Sequence, residues 1–220
     1  MAGFDPKTLD FTNPVAPNLP LATQEYERQF QDQFENVLRL YFNQLDNAFS
    51  SLLGPTGGKY LKFPYGAFSR NTQQTAALAN TAYAVAFDTT DFSNDVTLVS
   101  TTQITATNSG IYNFQFSVQL ENTDNASSDV YFWIKQNGTN LTASGGLFGM
   151  SPRKSPGDYF HLIGGYNIFI SLTAGQYIEL YWSTTNTATS IQNYAASGSP
   201  TKPSSPAVIA TLSFVSRLPT

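Results

Sequence analysis

The sequence has no cysteine, a single histidine and few charges. With no cysteine among its 220 residues, a disulfide framework and a thiolate metal site are both excluded. Charged residues make up 12% of the chain and the formal net charge is −4. The clustered Lys and Arg of a nucleic-acid surface are therefore missing, and nothing points to an anionic membrane as partner. No apolar run approaches the length of a membrane span. The opening residues, MAGFDPKTLDF, show neither the basic n-region nor the apolar core of a secretory signal, so none is expected. No nucleophile-elbow motif occurs. The chain reads as non-enzymatic, with no catalytic residue, cofactor or metal expected.

What is present in excess is aromatic side chains, 14% of the chain, and a polar surface built from Ser, Thr, Asn and Gln. In Gly110–Leu120, GIYNFQFSVQL, the residues Tyr112, Phe114, Phe116, Val118 and Leu120 alternate with Asn113, Gln115, Ser117 and Gln119. Successive strand side chains point to opposite faces, so this is one packed face and one polar face, the pattern of a central strand. Its polar face is expected to meet solvent or a polar layer.

Residues 1–22 are punctuated by Pro6, Pro14, Pro17 and Pro20, which favours an extended path. A disordered tail is one reading. The apolar residues Phe4, Leu9, Phe11, Val15, Leu19 and Leu21 favour an arm laid along a partner, because purely disordered tails are poor in such residues. Residues 23–54 read as one amphipathic helix, capped by Thr23 and closed by Gly54-Pro55. Its stripe includes Phe30, Phe34, Leu38, Tyr41, Leu45 and Leu52. From Leu38 the spacing Leu38, Tyr41, Leu45, Ala48, Leu52 is the 3-4-3-4 seam of a short coiled coil. The stripe either packs on its own domain or associates with copies or partners, and association is the expectation.

Residues 55–65 read as a linker and 66–220 as a β-domain of about ten short strands with no helical pattern, a mainly β jelly-roll sandwich. The expected strands include Leu141–Ser144, and Gly145–Asp158 and Thr184–Pro206 are expected to be long contact loops. Asn137-Gly138 marks a hairpin. In Val130–Ile134 and Tyr177–Trp182 both faces are apolar or aromatic, and such strands need cover on both sides. Tyr131, Trp133, Tyr177 and Tyr181 are the expected trimer seam, the other reading being cover by the chain's own helix or loops.

Three stretches carry a resemblance. Gly110-Ile111-Tyr112-Asn113-Phe114 resembles the G-x-Y-x-F strand of C1q/TNF-like domains. Trp133 to Gly138 resembles their x-x-K-x-N-G hairpin, and Leu172 to Leu180 their L-x-x-G-D-x-V-x-L, with Gln176 in place of the usual Asp. The resemblance implies a jelly-roll homotrimer. The arrangement of arm, helix and knob also resembles virion proteins of tailed bacteriophages. That implies other virion proteins as partners of the N-terminal region, a virion location after assembly in the bacterial cytoplasm, and a host-surface glycan or protein as a target. Tail fibre and head decoration both remain open.

Other chemistry-bearing residues read as structural. His161 sits in a strand-like run. Asp88, Asp91 and Asp95 lack the spacing of an EF-hand loop. Arg153 and Lys154, with Phe148 and Met150 nearby, read either as a partner contact or as a mobile loop.

Overall fold

The computed structural model describes residues 17–19, 28–53 and 62–219, with helix side chains described through Phe49. The chain divides into two compact units, residues 1–62 and 63–220.

In the first unit, α1 spans Arg28–Leu53, about 39 Å at ~1.5 Å per residue. The stretch holds neither Gly nor Pro. It is braced by Gln31 Nε2 donating to Glu35 Oε1 at 3.0 Å and by Arg39 Nη2 donating to Asn36 Oδ1 at 2.9 Å, pairs three and four residues apart that meet on a helix surface. Phe30 and Phe34 stack with ring centroids 6.2 Å apart. Phe30, Phe34, Leu38, Tyr41 and Leu45 are only half-buried, and no described side chain of α1 is buried. Thr23, the Leu52 side chain, and Phe4, Leu9, Phe11, Val15 and Leu21 lie outside the described residues. Leu19 is described, and it is exposed.

The second unit is built of β1 (Tyr65–Arg70), β2 (Gln74–Thr75), β3 (Tyr83–Ala84), β4 (Thr89–Asn94), β5 (Val96–Val99) and β6 (Gln103–Ala106). There follow β7 (Gly110–Asn122), β8 (Ser128–Gln136), β9 (Thr139–Asn140), β10 (Gly146–Met150) and β11 (Phe160–Leu172). The chain closes with β12 (Tyr177–Thr184), β13 (Thr189–Ile191), β14 (Ser197–Gly198), β15 (Thr201–Lys202) and β16 (Val208–Ser216). In one sheet β11 runs antiparallel along all of β7, while β16 and β13 share the other edge of β7; β1 and β4 continue beyond β16. The other sheet runs β10-β8-β12-β6-β5, with β3 beside β12 and β9 beside β8. The chain crosses repeatedly between two antiparallel sheets, which is a jelly-roll sandwich.

The alternation in β7 is fully realised. Tyr112, Phe114, Phe116, Val118 and Leu120 are all buried, facing Val130, Phe132, Ile134, Ile178, Leu180 and Trp182 of the opposite sheet. Phe116 and Phe132 meet across the sandwich with centroids 5.5 Å apart, and Phe132 stacks on Trp182 at 6.5 Å. Asn137 and Gly138 both have positive φ, 48° and 80°, the two-residue turn that joins β8 to β9. The β-unit begins earlier than residue 66: Phe63 stacks on Phe214, and Phe214 N donates to Pro64 O at 2.9 Å.

Three expectations are corrected. Leu141–Ser144 is a turn, with Ser144 N bonded to Leu141 O and Ala143 at φ 60°. The strand comes next, as β10, inside the stretch expected to be a loop. Two glycines make room for its packing: a Cβ on Gly146 would meet the Tyr166 ring of β11, and one on Gly164 of β11 the Phe148 ring of β10. Phe148 and Met150 accordingly pack on the core. The Arg153 segment is pinned as well, Arg153 Nη1 donating to Thr123 O at 2.9 Å and its N–H to Asp124 O at 2.8 Å. The second expected loop, Thr184–Pro206, contains β13, β14 and β15.

Candidate interaction surfaces

Two sheets packed face to face leave two outer faces. On the β8 sheet, Asp129, Tyr131, Trp133 and Lys135 point outward because Val130, Phe132 and Ile134 point in. From β12 the outward residues are Tyr177, Glu179, Tyr181 and Ser183. Register places Trp133 opposite Tyr181, and their rings lie 5.8 Å apart. Trp133 Nε1 donates to Asn140 Oδ1 at 3.0 Å, and Lys135 Nζ sits 4.0 Å above the Tyr181 ring, a cation–π contact. Burial, with the Glu179 carboxylate adding to it, raises the Tyr181 pKa. Tyr131 is exposed beside Leu147, its cross-strand partner on β10. Of the four residues expected at the seam, the structure thus brings Trp133 and Tyr181 into contact, with Tyr131 one step along the same face. Tyr177 stands apart, beyond the Glu179–Lys135 pair.

The second face of β7 is expected from the sequence to meet solvent or a polar layer. Along β7 that face is polar, with Asn113, Gln115, Ser117 and Gln119 pointing out. On the flanking strands it is not. Ile163 and Phe169 on β11 are 70% and 61% exposed, and Ile209 on β16 is 43% exposed. Ile163 lies opposite Gln119, Phe169 opposite Asn113, and Ile209 opposite Ser117. Asn113 Oδ1 is buried and has no hydrogen-bond partner among the described residues. The sequence carried a signal for this row: in FHLIGGYNIFISL both parities hold apolar residues, the same two-face pattern that singles out β8 and β12. The neighbouring Gly165 is fixed by packing, since a Cβ there would strike the Phe116 carbonyl oxygen.

His161 lies on this face, in β11 as expected. Its Nδ1 is 2.7 Å from the Tyr194 hydroxyl and 3.5 Å from Glu121 Oε2, and Tyr194 also donates to Glu121 at 3.3 Å. Burial, followed by the Glu121 charge, raises the Tyr194 pKa well above that of an ordinary phenol, so the hydroxyl stays a donor. The cluster ties the segment around Tyr194 to β7 and β11, and the group facing the imidazole is a phenol. Just beyond the same end of β7, Asp124 accepts from Asn186 Nδ2 at 2.7 Å and from the Asn125 N–H at 2.7 Å. These bonds lower its pKa, Asn186 contributing most. Asp88 accepts from Asn71, Thr72 and Thr89, and Asp91 from Ser69. Among the described residues no group of three or more His, Cys, Asp or Glu is placed to hold a metal ion. Among them, too, no helix is long and apolar enough to cross a membrane.

No protein-family model matches the chain, and no curated protein matches it. Among solved structures, the globular domain of zebrafish complement 1qA protein is similar at 14% identity over 71% of this chain and all of that one, with a TM-score of 0.42.

Proposed function

We propose that this chain is a non-enzymatic structural protein of a tailed-bacteriophage virion, a homotrimeric knob held on the particle by its N-terminal arm and helix. The observation that carries the reading is α1: an aromatic-rich helix of which no described side chain is buried. Exposed apolar area of this kind marks association. The rows Ile163–Phe169–Ile209 and Tyr131–Leu147 give the knob further surface for neighbouring copies. The layout of arm, helix and β-domain supports the virion as the setting. Partners would be copies of itself, other virion proteins and a host-surface glycan or protein. Its place is a short tail fibre with a role in host attachment, or a decoration of the head.

Removing residues 1–22 tests the attachment. In infected bacteria the shortened chain is expected to remain trimeric and to be lost from purified particles, while the full chain is retained. If neither form sediments with particles, and both bind the same glycan or protein target equally, the chain is instead a free C1q-like binding module.

A further inference from the structure

The sequence of α1 repeats itself. Arg28 to Val37 reads RQFQDQFENV and Arg39 to Ala48 reads RLYFNQLDNA. Shifted by eleven residues, Arg, Gln and Asn recur unchanged, and Phe/Tyr, Asp/Asn, Phe/Leu, Glu/Asp and Val/Ala replace one another; the two exceptions are Gln29 against Leu40 and Gln31 against Phe42. Large apolar residues fall at Phe30, Phe34, Leu38, Tyr41, Leu45 and Phe49, with Leu52 next in step: intervals of four, four and three, twice over. Phe42 widens the stripe at one edge. A heptad seam through Leu38, Tyr41, Leu45 and Ala48 leaves Phe42 and Phe49 unexplained, although they are 60% and 54% exposed.

An eleven-residue repeat closes on about 3.67 residues per turn, slightly more than the ~3.6 of a straight helix, and so imposes a gentle right-handed supercoil. A heptad imposes the opposite hand. We infer that the α1 stripe docks on the same stripe of further copies of this chain, forming a near-straight, slightly right-handed bundle. This rests on the self-association proposed above and adds its geometry. A repeated stripe fits an identical copy because each layer meets its own counterpart in register. No charge interrupts it from Phe30 to Phe49; Arg28, Asp32, Glu35, Arg39 and Asp46 all fall off it. An aromatic side chain carries ~150–250 Å²; Phe42 and Phe49 leave more than half of theirs open, and Phe30, Phe34, Tyr41, Leu38 and Leu45 a smaller part. The stripe thus offers about 500 Å² per helix, a large share of the ~800 Å² per partner of a stable interface, with the outer rows of the β-domain left to supply the rest.

The chain's lack of cysteine makes single-cysteine crosslinking a clean test on the full-length protein. Phe49→Cys, on the stripe, is expected to form disulfides between copies several-fold faster than Ala48→Cys, which lies at its edge. Asn43→Cys, on the far side, is expected not to react. Fastest crosslinking through Ala48→Cys would establish a heptad seam and overturn the eleven-residue geometry while leaving the trimer. A trimer by light scattering with no crosslink at any helix position would overturn the inference and leave association through the β-domain. A monomer would remove both readings.

Discussion

The two units treat the same kinds of side chain in opposite ways. In the sandwich, Phe116, Phe132 and Trp182 lie fully or almost fully buried against one another. In the helix, Phe30, Phe34, Phe42 and Phe49 all keep surface open. The difference does not lie in amphipathicity, which both share. A strand with a period of two needs one opposing face, and the antiparallel crossings of the jelly roll supply it from the same chain. Among the described residues of its unit, α1 has no second element to close on. Patterning that the chain satisfies itself specifies a fold, whereas patterning left open in the described residues is what the proposed assembly rests on.

The contrast can be sharpened by substitution. Phe132→Ala is expected to destabilise the β-unit by about 3–5 kcal/mol, as large-to-small changes in a packed core do. Leu45→Ala in a dissociated chain should stay within about 0.5 kcal/mol, the range of surface changes. Urea unfolding at concentrations below assembly reads both, and equal effects would break the comparison. Gly165→Ala, which drives a methyl group into the Phe116 carbonyl, is expected to cost about 1–3 kcal/mol by overpacking, with no change in association. Tyr194→Phe removes the bonds to His161 and Glu121 and is expected to cost about 1 kcal/mol. Faster amide exchange around Tyr194, and none in α1, would accompany it.

The response to pH should likewise be confined to the sandwich. Burial of Tyr166, whose hydroxyl donates to Ser144 O and Phe132 O, pushes its pKa from 10.0 to about 12. The unfolded chain therefore loses this proton first as pH rises. The contribution of Tyr166 is complete below pH 10, fades between 10 and about 12, and Tyr194 is displaced in the same direction. Unfolding midpoints at about pH 9 and about pH 11 are expected to fall with pH in the parent. Tyr166→Phe should flatten that fall.

Much of the sandwich was legible in the sequence because its signals are local. The alternation of β7 and the Asn137-Gly138 turn depend only on neighbouring residues and recur unchanged in the fold. β10 was misread because Gly146 looks like a loop residue, whereas it makes room for Tyr166, which is remote in sequence. The knot of His161, Tyr194 and Glu121 joins three separate segments, so no single stretch announces it. Ile163 and Phe169 were overlooked beside β7, whose own outward residues are polar. The stripe of α1 is legible as well: its steps of three and four fit a seven-residue repeat from Leu38 onward and the proposed eleven-residue repeat from Phe30 onward.

The central claim is that the chain folds its β-unit alone and leaves α1 for copies of itself. The most direct measurement is the molar mass of the full chain in solution by light scattering, for the parent and for Leu45→Asp. The account predicts three times 24.1 kDa for the parent and a lower mass for the variant, with near-ultraviolet circular dichroism of the sandwich preserved. A parent mass of 24.1 kDa, or a variant that keeps the mass of the parent, would contradict it.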